Sequence, residues 1–238
     1  MCARGAGGGP SSDDTDSVTI STATGLGRFA VALVCSVALV FRYIWGLGSI
    51  TFTSGNFFSY LTIQSNIAFV AVLVVGGIHA LKSEPDPPWL SVARAAVLSC
   101  TVSAGVVFAF LVQQAGARGF RIDVPWSDQV LHFWLPTIAL LEWFVSPGRG
   151  RVPWRTLFVV IGYAVVWGIA TLIRGADVGW YPYFFLDPAQ VDGVGQFALF
   201  SGIALALFSV VTCAVVGISR TVPLADRRSR RDVARPPE

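Results

Sequence analysis

Six largely apolar runs divide this chain: about Gly25–Trp45, Phe57–Leu81, Leu90–Gln113, Gln129–Val145, Trp154–Ile173 and Gln196–Ile218. A helix needs roughly 20 such residues to cross the hydrocarbon of a bilayer. Composition agrees: 54% of the 238 residues are hydrophobic, only 13% are charged, and the mean hydropathy is +0.64. Little is left over for a soluble domain. The expected fold class is therefore all-α: a polytopic membrane protein with six transmembrane helices over residues 25–218. A tail precedes it at 1–24 and a basic tail follows at 219–238. The first tail is rich in Gly, Ser, Thr and Asp without an apolar run, which predicts disorder and no signal peptide.

Charge orients the six runs. One side receives Arg4, Arg28, Lys82, Arg94, Arg149, Arg151, Arg155 and the arginines from Arg220 to Arg235. The other receives Arg118, Arg121 and Arg174. The positive-inside rule places both termini in the cytoplasm. The basic run Arg227–Arg231 reads as a stop signal and a contact for anionic lipid heads, with membrane lipids as partners and no nucleic acid. Oligomeric state is not legible. Lys82 is the only lysine, and Ala, Val and Gly abound, which suggests a GC-rich bacterial genome and hence a bacterial cytoplasmic membrane. The cysteines, Cys2, Cys35, Cys100 and Cys213, are too scattered for a disulfide framework or a zinc site, and there are only two histidines. No cofactor and no metal are expected.

The stretch Gly55–Asn66, GNFFSYLTIQSN, is polar where a span should begin. Ser59, Thr62, Ser65 and Asn66 recur at three- and four-residue spacing and would share one helical face, while Gln64 points elsewhere. The fourth run opens SDQVLHFWLP. Ser127 is the expected N-cap, Asp128 and His132 lie one turn apart, and Pro136 should kink the helix and free a carbonyl near His132. Odd–even alternation puts Thr62 and His132 at similar depth near the outer face. Arg42 approaches that level as either a snorkelling arginine or a fixed cation facing the bundle interior. Glu142 and His79 read as groups at the inner interface. The small-residue run from Ala93 to Gly105 suggests a central third span. The aromatics of the loop Trp180–Pro188 are too dense for a solvated linker, and it should lie at the outer mouth of the bundle or in the interface.

Such a site could support acyl transfer. An imidazole can take the proton of a neighbouring hydroxyl, making it a nucleophile. Asp128 could orient the ring like the third member of a triad, and Arg42 or Asn66 could stabilise an oxyanion or hold a carboxylate. Equally, Thr, Ser and Asn in membrane helices commonly bond backbone carbonyls.

The segments FFSYLTIQSN, LHFWLP and YPYFFLDP resemble three signatures of bacterial six-span proteins related to the androgen-induced-gene and androgen-dependent tissue-factor-pathway-inhibitor-regulating proteins. The eukaryotic relatives are threonine hydrolases of fatty acid esters of hydroxy fatty acids. The resemblance implies Thr62 as nucleophile and His132 as its partner. It departs at Leu61, where Phe is expected, and at Phe184, where a second proline is expected. Arg42, Asn66, Asp128, Tyr181 and Asp187 are expected to bind substrate or support the pair, by inference from the residues and not from the resemblance. The expected activity is cleavage of amphiphilic acyl esters. The alternative is a non-enzymatic transport or small-ligand and lipid-binding protein, and a lipid-packing or partner-binding scaffold is a third reading.

Overall fold

The computed structural model describes residues 12–117, 119, 123–146 and 149–223. Helix α1 runs Ser12–Gly46, α2 Ser54–Ser59, α3 Leu61–Leu81 and α4 Pro88–Ala117. Then come α5, Trp126–Gln129, a single π turn, Val130–Trp134, and α6, Leu135–Val145. Helix α7 spans Thr156–Val178, a 3-10 turn covers Phe184–Leu186, and α8 spans Gly193–Ile218. No strand occurs among the described residues. Five helical stretches are long and apolar enough to cross a bilayer: Val18–Gly46, Leu61–Leu81, Pro88–Gln114, Thr156–Val178 and Gly193–Ile218. The fourth expected span is instead a composite, α5, the π turn and α6 laid end to end over 126–145.

Several boundaries differ from expectation. The first helix begins at Ser12, so the disordered tail expected to residue 24 is already helical beyond residue 11. Residues 1–11, and with them Cys2 and Arg4, lie outside the described residues, as do Arg118, Arg121 and the run Arg227–Arg231. The second run breaks at Tyr60, whose extended backbone (φ −67°, ψ 129°) ends α2 and starts α3. Ser127 is not the N-cap of the fourth run. Pro125 holds that position, and Ser127 is buried as the second residue of α5. Helix α7 also runs on past Ile173 and closes at Gly179, whose positive φ of 68° suits glycine and lets its N–H bond the Gly175 carbonyl at 2.8 Å.

Helix α4 is central, packed on α3, α6, α7 and α8, while α1 lies along α3. Its small residues allow this: a Cβ at Gly105 would overlap the carbonyl oxygen of His132. Pro136 has no N–H to offer that carbonyl, four residues back, so the carbonyl turns toward α4, where a glycine leaves room. The π turn is the local result.

One end of the bundle is tied by buried charge. Arg28 bonds Glu142 Oε1 through Nε at 3.1 Å and Nη2 at 2.9 Å, and donates to the Gly76 carbonyl at 2.7 Å. Arg94 grips the other side of Glu142 at 2.5 Å and pairs with Asp86, which also receives Arg28 at 3.3 Å. Glu142 is thus the hub of a network joining α1, α3, α4 and α6, more than the interface group its position suggested. His79, 3.0 Å from Glu84, lies at the same end.

Candidate functional site

At the opposite end a cavity of about 300 Å³ opens among α1, α2, α3, α4 and the α5–π segment. Thr62, His132, Arg42 and Asp128 all line it. Sequence reasoning paired the first two across helices, and both are on its wall.

The break at Tyr60 sets the position of Thr62. It is the second residue of α3, where backbone N–H groups have no partner inside their own helix. Tyr60 supplies no side-chain cap. Two side chains bond carbonyls at the end of α2 and a third lies beside the start of α3. Gln64 donates to the Phe58 carbonyl at 2.8 Å, and Trp167 of α7 donates to the Ser59 carbonyl at 3.0 Å. The phenol of Tyr183 lies beside the N–H groups of Leu61 and Thr62 and the Thr62 hydroxyl, near enough to interact with them. Burial pushes that phenol up to about 12, so it remains protonated at neutral pH.

His132 is held from two sides. Its Nδ1 lies 2.9 Å from the backbone carbonyl of Asp128. A carbonyl only accepts, so Nδ1 carries the proton and Nε2 of the neutral ring is an acceptor. The ring stacks on Phe108 of α4, centroids 3.7 Å apart and 14° from parallel. The orienting group is therefore the Asp128 main chain and not its carboxylate, which lies 3.9 Å from Nδ1. That carboxylate takes Arg42 Nε at 2.6 Å instead, and Arg42 also sits 4.8 Å over the Trp45 ring. Arg42 accordingly faces the bundle interior.

Three expected site residues are elsewhere. Asn66 is fully buried away from the cavity wall, donating to the Thr62 carbonyl at 2.8 Å and facing the Cys35 thiol of α1. The expected polar face keeps Thr62, Ser65 and Asn66 but loses Ser59, which belongs to α2, and Ser65 and Asn66 both donate to the Thr62 carbonyl. Tyr181 packs its ring against Gly175, where a Cβ would overlap it. Asp187 closes its own turn by accepting from Ala189 N at 2.9 Å and Gln190 Nε2 at 2.6 Å. Trp180, Pro182 and Tyr183 line the cavity in place of Tyr181. The chain bends at 182 and 183, so alternation along the segment does not say which of Tyr181 and Tyr183 reaches the cavity.

Among the described residues no hydrogen bond joins Thr62 directly to His132, whose bonded ring nitrogen serves Asp128. Nor does any group of three or more His, Cys, Asp or Glu converge as metal ligands among them. What the arrangement offers is a buried hydroxyl at a helix N-terminus, a protonated phenol beside it, an imidazole oriented through Nδ1, and a guanidinium. Comparison with protein-family models, curated proteins and solved structures finds no match to this chain.

Proposed function

We propose that this chain is a six-span intramembrane hydrolase of amphiphilic acyl esters, with Thr62 as nucleophile and His132 as base, as its resemblance to the threonine hydrolases implies. In this reading the composite helix 126–145 is the sixth crossing, and both termini are cytoplasmic because the basic residues cluster at that end. The observation that carries the reading is the presence of Thr62 and an oriented His132 on the wall of one cavity.

The Thr62 hydroxyl oxygen attacks the ester carbonyl carbon while its proton passes to His132 Nε2, directly or through a bound water. The imidazolium then protonates the departing alkoxide. Water, deprotonated by His132, attacks the acyl-threonine and releases the acid with Thr62 restored. Tyr183 and the first-turn N–H groups of α3 are the donors nearest a developing oxyanion. Arg42, which gives only Nε to Asp128, has its remaining guanidinium nitrogens for a carboxylate or polar head at the cavity.

One observation favours a second reading, a small-ligand or lipid-binding protein: Tyr183 and not His132 engages the Thr62 hydroxyl. Labelling of the purified protein in detergent with a fluorophosphonate probe decides between them. Labelling lost in both Thr62→Ala and His132→Ala, with folded yield unchanged, is the expected result. Labelling that persists in Thr62→Ala would sink the assigned nucleophile, and none in the wild type would favour ligand binding.

A further inference from the structure

A second cavity of about 300 Å³ adjoins the first and shares Ala104 and Tyr183 with it. Consecutive residues at the start of α3 divide between the two: Thr62 lines the first and Leu61 the second. The character of the walls changes at this point. The second cavity is formed by Val107 of α4, Gly168 and Leu172 of α7, and Phe197 and Ala204 of α8, and carries no charged side chain. The outer faces of the two last helices, at Ile169 and Ile203, are more than half exposed and apolar. The cavity therefore lies between the Thr62 site and the hydrocarbon that would surround α7 and α8. Each cavity alone is at the lower end of the roughly 300–1,000 Å³ that small-molecule sites occupy.

We infer that the second cavity receives the acyl chain of the ester whose carbonyl lies at Thr62, with the chain passing the Tyr183 ring. This rests on the hydrolase reading. Each methylene buried there adds to binding, so the cavity would set a preference for long chains over short ones. A polar head would stay in the first cavity beside Arg42.

Gly168 offers a clean test, since a Cβ there meets nothing within 4 Å. Gly168→Leu adds bulk at the cavity wall from a position whose Cβ is unobstructed, and removes a helix-weakening glycine. Gly162, equally open but off the cavity wall, supplies the control Gly162→Leu. The full chain in detergent is assayed on p-nitrophenyl palmitate and p-nitrophenyl butyrate, with Thr62→Ala as background. The expected result is a palmitate-to-butyrate ratio of kcat/KM that falls about tenfold or more in Gly168→Leu and is unchanged in Gly162→Leu. Thr62-dependent turnover with the same ratio in both variants would overturn the acyl-chain assignment and leave the hydrolase standing, the cavity then holding an ordinary bilayer chain. Absence of Thr62-dependent turnover on either ester would overturn the hydrolase reading and this inference with it.

Discussion

His132 Nδ1 donates to the main-chain carbonyl of Asp128 at 2.9 Å, and the Asp128 carboxylate is turned to Arg42 at 2.6 Å. One residue thus does two separable things: its backbone fixes the histidine tautomer and its side chain pairs a cation. Asp128→Asn should keep the ring oriented. Fluorophosphonate labelling is expected to slow less in Asp128→Asn than in His132→Ala. Equal loss in the two would show that the carboxylate acts on the ring.

The Arg42–Asp128 pair is largely buried, so removing one partner leaves an uncompensated charge. Arg42→Ala and Asp128→Ala are each expected to lower thermal stability in detergent. The double variant should lose less than the sum, with a coupling of about 0.5–3 kcal/mol. Additive losses would show that the two side chains are independent.

Tyr183, not Tyr181, touches Thr62. Tyr183→Phe should slow labelling and Tyr181→Phe should not. The phenol also predicts a pH dependence. Its folded value is raised from 10 to about 12, so the folded state holds this proton more tightly than the unfolded chain does. Its contribution is complete below about pH 10 and is lost as pH rises through about 12. Thermal melts across that window should show a decline that is shallower in Tyr183→Phe.

Pro136 and Gly105 together let the His132 carbonyl leave the helix ladder. Pro136→Ala restores an N–H for that carbonyl and should draw the π turn toward regular helix, reducing labelling while the protein stays folded. Gly105→Ala forces a Cβ onto the carbonyl and should destabilise by about 1–3 kcal/mol, read as a lowered Tm. An unaltered Tm would mean that α4 can withdraw.

The charge cluster at the other end should matter for stability and not for chemistry. Glu142→Ala leaves Arg28 and Arg94 without their shared carboxylate, an expected loss of about 3–5 kcal/mol. Labelling per folded molecule should hold. A selective loss of labelling would link the two ends.

Much of this organisation was legible in the chain itself. Apolar length alone marks the membrane-crossing helices, because a bilayer constrains each helix separately and before any packing. The small residues of α4 announced its central place, and Pro136 announced a distortion beside His132. Residue type and depth sufficed to expect Thr62 and His132 near one another, and they line one cavity. The tertiary structure decided which polar groups meet. The interruption at Tyr60 moved Thr62 to a helix start and cut Ser59 off from its periodic face, and it is held by Gln64, Trp167 and Tyr183. Two of those three come from 100 or more residues away in the chain, so no local pattern around Thr62 carries them. The same reason explains Asn66, drawn to the Thr62 carbonyl and to Cys35 of α1, and the exchange of Tyr181 for Tyr183. Periodicity says which side chains share a face. Which face meets a cavity depends on helix breaks and on neighbours that only packing brings together.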